Sequence, residues 1–136
     1  MPTLFYRLVF DPAFRKRRYA SAWLVFAAIL IMGSVPGARA EIGVYAPGVV
    51  LHSLAYAVIT FLLYSGSTGT RRQRAVRAIL TVATMGAIDE LLQSTLPYRS
   101  GDPRDWAVDC TAALVTASLL AAFLPEPEHP RNNAGN

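Results

Sequence analysis

Ionisable side chains are concentrated in residues 89–109, which carry five of the nine acidic residues of the chain. Arg99 lies in the same stretch, and His52 lies in an earlier apolar segment. A histidine beside carboxylates can exchange protons near neutral pH, and an arginine can hold an anionic group of a ligand. Carboxylate oxygens are also the ligands that Mg²⁺ and Ca²⁺ prefer. These residue types predict a polar site, with proton transfer, anion binding and cation binding as open alternatives.

The candidate site consists of polar side chains from three apolar segments. The candidates for catalysis are His52, Glu90 and Asp109. The candidates for substrate binding are Tyr56, Asp89, Gln93, Arg99 and Asp105. No serine nucleophile with a base, glycine-rich phosphate loop or H-E-x-x-H pair is visible. Whether the protein is an enzyme therefore stays open, the cofactor is unknown, and we assign no metal ligand.

The composition predicts that these side chains belong to a membrane protein. Of the 136 residues, 53% are hydrophobic and only 16% are charged, which is too apolar for a soluble domain of this length. Basic blocks at 15–18 and 71–77 flank apolar runs, so we expect contact with anionic membrane lipids and not with nucleic acid. Cys110 is the single cysteine, which excludes an intrachain disulfide.

Four apolar segments are long enough to cross a bilayer. They occupy residues 19–35, 47–65, 76–96 and 102–124. The absence of an alternating strand pattern predicts an all-α fold, an integral membrane four-helix bundle with short connections. Residues 1–18 then form a basic segment at the membrane interface, 19–124 form the membrane domain, and 125–136 form a disordered tail.

A secretory signal peptide is the competing interpretation of the N-terminal region. Ala38-Arg39-Ala40 follows a basic leader and an apolar run, and this order imitates a signal peptide with an A-x-A cleavage site. The leader is long for a signal peptide, so we expect a retained membrane anchor.

The distribution of Lys and Arg predicts the orientation of the spans. Five precede the first span, four accompany the start of the third and one follows the fourth, against three in the other two connections. Because cytoplasmic connections carry the excess of basic residues, both termini are predicted to be cytoplasmic. Span two then starts, span three ends and span four starts at the outer face, so the polar side chains of three spans meet at one level.

Four short motifs follow one another in a recognisable order. They are Ser34-Val35-Pro36, His52-Ser53-Leu54-Ala55-Tyr56, Asp89-Glu90-Leu91-Leu92-Gln93, and Pro97-Tyr98-Arg99 leading into Asp102, Asp105 and Asp109. In these motifs, residues 34–122 resemble the VanZ-like family of small bacterial membrane proteins, named for a protein linked to teicoplanin resistance. The resemblance implies that the family's polar positions correspond to His52, Tyr56, Glu90, Gln93, Arg99, Asp105 and Asp109.

The chain departs from that family at two places. Gly48-Val49 stands where members often carry an acidic-basic pair, and Asp109 with Ala112-Ala113 stands where they often have asparagine and then glycines. The departures place the chain in a divergent branch. The resemblance still implies a multi-pass protein of the bacterial inner (cytoplasmic) membrane.

The leading hypothesis is an outward-facing polar pocket that binds, or binds and modifies, a cell-envelope molecule. A lipid-linked or peptidoglycan-related precursor fits the location, with a link to glycopeptide antibiotic resistance implied by the resemblance. The alternative is a non-enzymatic assembly or structural partner whose polar cluster locks the helices together. A small proton- or cation-coupled transporter is a third hypothesis, and four short spans would have to oligomerise to form its pathway.

Overall fold

The computed structural model describes residues 9–124, except for the side chains of Arg39 and Ile42. Within this range all regular structure is helical, which confirms the predicted all-α class. The elements are a 3₁₀ turn at Pro12–Phe14, then α1 at Arg15–Ser34, α2 at Ala38–Gly43, α3 at Gly48–Gly66, α4 at Arg71–Ser94 and α5 at Pro103–Phe123. The predictions for residues 1–8 and 125–136 lie outside the described residues.

Side-chain caps fix the starts of three helical segments. The carboxylate of Asp11 accepts a backbone N–H bond of 2.8 Å in the turn that leads into α1. Thr70 and Gln73 form a reciprocal capping box at the start of α4, an arrangement that satisfies two otherwise unpaired backbone N–H groups. Asp102 accepts a 2.9 Å bond from the first turn of α5. Asp11 and Asp102 therefore act as N-terminal caps of the segments that follow them.

The helix boundaries differ from the predicted spans in two respects. α1 and α4 begin at Arg15 and Arg71, inside the basic blocks, whereas the predicted spans begin at 19 and 76. Hydropathy locates the apolar part of such a helix and misses its charged first turn. α2 lies in a connection for which the sequence predicts no helix, because six residues are too few to show a helical period.

Within residues 9–124, two of the four predicted spans, α3 and α5, are helices long and apolar enough to cross a membrane. Large apolar side chains also lie exposed along all four long helices. Examples are Leu24, Ile31, Leu54, Leu80, Leu91, Leu114 and Leu119.

Helix α3 is central and packs against α1, α4 and α5. The buried core side chains are Ala22, Phe26, Tyr56, Ile59, Leu63, Tyr64, Ala78, Val82, Met85 and Ala113. Gly66 lets α1 and α3 approach closely, because a Cβ atom at this position would lie 2.7 Å from the backbone nitrogen of Tyr19.

The antiparallel helices give the bundle two chemically different ends. At one end the start of α3 meets the end of α4 and the start of α5. We call this the acidic end because Asp89 and Asp109 lie there, together with His52. At the other end, which we call the arginine end, Arg18 and Arg74 contact the last turn of α3. The predicted meeting of polar side chains from three helices is therefore observed at the acidic end.

Candidate functional site

His52 lies between two carboxylates of α5. Its Nδ1 atom is 2.9 Å from Oδ1 of Asp109, and its Nε2 atom is 3.8 Å from Oδ2 of Asp105. The two aspartates are four residues apart and therefore share one face of the helix. The first distance is that of a hydrogen bond and the second is too long for one. Asp109 therefore orients the imidazole ring, while the Nε2 atom keeps bonding capacity.

A second network links α3 to α4 through Asp89. Its Oδ1 atom accepts a bond of 2.9 Å from Nε2 of Gln93, and its Oδ2 atom accepts a long bond of 3.4 Å from the hydroxyl of Tyr56. Asp89 and Gln93 are both buried. The Tyr56 ring stacks on the His52 ring with centroids 6.1 Å apart and the planes inclined by 20°. The two networks are therefore in contact through the stacked rings of His52 and Tyr56, which both belong to α3.

The connection before α5 joins these networks to the end of α1. One terminal nitrogen of Arg99 donates to Oε1 of Gln93, and the other donates to the carbonyl oxygen of Gly33 at 3.2 Å. The hydroxyl of Tyr98 donates to the carbonyl oxygen of Ser34 at 2.5 Å. Adjacent residues of the connection thus close the last turn of α1, which has free carbonyls as every helix C-terminus does.

A cavity of about 300 Å³ lies beside the second network. Ile29 and Met32 of α1, with Leu51 and Ala55 of α3, form its apolar walls. The polar side chains that line it are His52, Tyr56, Asp89, Gln93 and Arg99. A cavity with apolar walls and a few convergent polar groups is the usual form of a small-molecule site.

Glu90 lies apart from this cavity. Its Oε2 atom accepts a bond of 2.5 Å from the backbone N–H of Asp102, so the carboxylate braces the connection to α5. Asp105 and Asp109 also do not line the cavity, although both face the ring of His52, which does. Adjacent positions on a helix point about 100° apart. This geometry sends Asp89 to the bundle interior and Glu90 to the connection.

Two residues that the sequence analysis does not single out shape the site. Gly86 of α4 faces Asp109, and a Cβ atom there would lie 2.9 Å from Oδ2 of that carboxylate. The indole Nε1 of Trp106 donates to the carbonyl oxygen of Ala83 at 2.9 Å, which ties α5 to α4. A glycine inside an apolar segment is the only sequence signal for the first contact, and it does not name the partner.

The arrangement can orient a ligand and move a proton. In the neutral imidazole, the Nδ1–H group donates to Asp109 and the Nε2 atom is left as an acceptor. Across residues 9–124, no group of three or more His, Cys, Asp or Glu side chains is placed to hold a metal ion. The best-placed group for proton transfer is therefore the Nε2 atom of His52.

Comparisons with protein-family models, curated proteins and solved structures gave no match for this chain. The functional interpretation consequently depends on the residues and their geometry.

Proposed function

We propose that the protein is a VanZ-like, multi-pass protein of the bacterial inner membrane that binds an amphiphilic cell-envelope molecule in the cavity at its acidic end. Support for a membrane location comes from the two span-length apolar helices and from the exposed leucines around the bundle. The basic arginine end would face the cytoplasm, because basic residues accumulate on that side. The acidic end and its cavity would then face outward.

The observation that carries the proposal is the composition of the cavity wall. Apolar side chains such as Ile29 and Leu51 line the same cavity as the hydrogen-bonded chain of Asp89, Gln93 and Arg99. A molecule with an apolar and a polar part satisfies both walls, whereas a purely ionic ligand would leave the apolar one unmatched. His52, held by Asp109, is the group that would take or give a proton on that molecule.

A cavity-filling substitution tests the proposal. Ala55 lines the cavity, so Ala55→Phe places a ring in the ligand's space, whereas Val58 on the same helix is 50% exposed and serves for a matched Val58→Phe control. Native mass spectrometry of gently solubilised protein from bacterial membranes should show an amphiphile retained by the wild type and by Val58→Phe. Ala55→Phe should lose it at unchanged helical content. Equal retention by all three proteins would remove the cavity from the proposal.

A structural role is the second candidate, and the burial of the polar groups favours it. Asp89, Gln93, Asp105 and Asp109 are all buried, and interhelical hydrogen bonds stabilise membrane bundles. In this proposal the protein assembles with another membrane protein or with a second copy, and the polar cluster only holds the helices in register. The first candidate function requires a bound ligand and the second does not, so the same retention experiment separates them.

A further inference from the structure

Arg99 lines the cavity at the acidic end and is half-buried there. A guanidinium group has five N–H donors. Arg99 uses two of them, one to Oε1 of Gln93 and one to the carbonyl oxygen of Gly33. Its Nε–H group is buried and has no acceptor in the described part of the chain. The guanidinium therefore keeps bonding capacity beside the cavity.

The two acceptors of Arg99 are neutral groups. Within residues 9–124 no carboxylate forms an ion pair with this side chain, and the nearby carboxylates of Asp89 and Glu90 accept bonds from other groups. The end of α1 offers only the partial negative charge of a helix C-terminus, about half an elementary charge. A half-buried cation without a counterion is costly. An anion in the cavity would therefore stabilise Arg99.

The acidic residues limit the charge of that anion. Gln93 lies between the carboxylate of Asp89 and the guanidinium, with one hydrogen bond to each. An oxygen anion that contacts Arg99 at about 2.8 Å can keep the length of this amide side chain between itself and Asp89. Because Coulomb energy falls with distance, the attraction exceeds the repulsion. A second negative charge would find no further arginine or lysine in the cavity wall, so a singly charged oxoanion fits best.

The apolar wall beside Arg99 leads out of the bundle. Ile29 and Met32 of α1 line the cavity, and Gly33, whose carbonyl oxygen binds Arg99, follows directly in the chain. Met32 is 48% exposed, so this wall reaches the outer surface of the helices. An apolar chain attached to the anion can therefore run past Met32 into the lipid of the proposed membrane location.

We infer that Arg99 binds the singly charged oxoanion head group of an amphiphile, such as the phosphodiester of a lipid, whose chain passes Ile29 and Met32. The inference rests on the proposed function and narrows its ligand to an anionic amphiphile. Arginine binds phosphate oxygens through charge-assisted hydrogen bonds, which are stronger than neutral ones. The cavity of about 300 Å³ lies at the lower limit for small-molecule sites, roughly 300 to 1,000 Å³. It therefore holds the head group and the first part of the chain.

Titrations with three matched phosphate esters test the inference on the full chain in dodecyl maltoside micelles, which contain no phosphate. The ligands are decyl methyl phosphate, a singly charged diester, decyl dimethyl phosphate, its neutral triester, and dimethyl phosphate, which has the charge without the chain. The chain has two histidines, so His129→Gln leaves His52, in the cavity wall, as the single imidazole signal in ¹⁵N NMR. The decyl diester should shift this signal with about tenfold tighter binding than either other ligand.

Three variants assign the charge to Arg99. Arg99→Gln should weaken binding of the decyl diester about tenfold and leave binding of the triester unchanged, because only the diester interacts with the charge. Arg104→Gln removes a charge from an exposed side chain at the same end and should leave both unchanged, since exposed charges are screened. Tyr98→Phe removes the neighbouring bond to the end of α1 but keeps the guanidinium, so it should bind the diester as the wild type does.

The outcomes separate the inference from the proposed function. Equal binding of the diester and the triester, or full diester affinity in a folded Arg99→Gln protein, would overturn the anion site while the amphiphile cavity stands. Equal losses in Arg99→Gln and Tyr98→Phe would overturn it as well, since Arg99 would then act only by closing α1. Dimethyl phosphate bound as tightly as the decyl diester would assign Arg99 to a free anion and contradict a lipid ligand.

Two further results are decisive on the wild type alone. If Arg99→Gln does not fold, the comparison of the diester with its triester still decides the charge of the ligand. No binding of any of the three esters would contradict the cavity's function itself.

Discussion

At the arginine end, Arg18 and Arg74 are buried against main-chain carbonyls, whereas at the acidic end Asp89 and Asp109 are buried against other side chains. Arg18 donates to the carbonyl oxygen of Ser65 at 3.1 Å, and Arg74 donates to that of Tyr64 at 3.0 Å. Both carbonyls belong to the last turn of α3, where the helix dipole places negative charge. The backbone cannot change its protonation state, so these main-chain acceptors are fixed.

The acidic end uses partners that can exchange protons or rotate away. His52, Tyr56 and Gln93 supply the hydrogen bonds to Asp109 and Asp89. A buried carboxylate requires such partners, because an unpaired charge is costly away from water. The cavity also lies at this end, and neither Arg18 nor Arg74 lines it. The two ends therefore differ in their partners, which are main-chain carbonyls at the arginine end and titratable or rotatable side chains at the acidic end.

The arginine end also shows how burial acts on a cation. The pKa of Arg18 lies below its ordinary value, because the guanidinium is desolvated by burial and Arg74 adds a like charge nearby. Two buried arginines repel each other, and the carboxylate of Asp11 together with the carbonyls of α3 offsets that repulsion. The contacts of this end are consequently the ones whose loss should cost most.

The largest expected effect is that of Arg74→Met at the arginine end. Arg74 is 5% exposed and also lies over the ring of Tyr64, with 4.3 Å between the guanidinium carbon and the ring centroid. Losing a charge-assisted hydrogen bond and a cation–π contact should lower the free energy of unfolding by roughly 3 kcal/mol. Arg72 in the same turn is exposed, so Arg72→Met should stay within about 0.5 kcal/mol.

Denaturant unfolding in detergent measures both arginine variants. Ligand retention by the folded fraction of Arg74→Met should equal that of the wild type, because the cavity lies at the other end. An Arg74→Met protein that keeps the unfolding free energy of the wild type but loses the ligand would contradict the division between the two ends.

An intermediate effect is expected for Gly86→Ala at the acidic end. The new Cβ atom would lie 2.9 Å from Oδ2 of Asp109 and 3.1 Å from a ring carbon of Trp106, so α4 and α5 must separate slightly. Overpacking of this kind costs about 1–3 kcal/mol. Displacement of the carboxylate should also weaken the hydrogen bond from the Nδ1–H group of His52. This proton would then exchange faster with water, which NMR measures.

Gly43→Ala is the matched control for that substitution, because no atom lies within 4 Å of the Cβ position there. It should leave both the unfolding free energy and the His52 signal unchanged. A destabilised Gly86→Ala protein with an unchanged His52 signal would show that the glycine serves helix packing alone.

The sequence predicts which residues lie at the acidic end better than it predicts how their side chains are arranged. The positions of His52, Asp105 and Asp109 within the first two turns of their helices are enough to place them near one level, and the contacts agree. Helical spacing also predicts the pairing of Asp89 with Gln93. The different directions of Asp89 and Glu90 depend on the rotation of α4 about its axis. Packing against α3 and α5 sets this rotation, and the sequence of a helix that is apolar on all sides does not reveal it.

The sequence does not predict that Arg18 and Arg74 are buried, because their direction also depends on helix rotation. A basic block beside an apolar run predicts lipid contact for every member, yet Arg18 and Arg74 turn inward and cap α3. Their neighbours Lys16 and Arg72 are exposed, so the prediction of lipid contact applies to them and not to the two buried arginines. Only the helix phase distinguishes the two groups, and it follows from where α1 and α4 begin.

The smallest expected effect separates the two candidate functions, and it uses two tyrosines of α3. Tyr56 and Tyr64 are both 0% exposed, but the hydroxyl of Tyr56 donates to Asp89 at 3.4 Å. The hydroxyl of Tyr64 has no partner within the described part of the chain. Tyr64→Phe should therefore be neutral or slightly stabilising, because it removes an unpaired buried hydroxyl.

Tyr56→Phe gives the contrasting result. If the polar cluster only locks the helices, the lost bond should lower the unfolding free energy by about 0.5–1 kcal/mol and change nothing else, since a 3.4 Å bond is a weak one. If the cavity binds a ligand, Tyr56→Phe should also weaken ligand retention, because the hydroxyl lies in the cavity wall and orients Asp89 beside it. Retention measured at matched folded fraction, with Tyr64→Phe alongside, decides between the lock and the binding site.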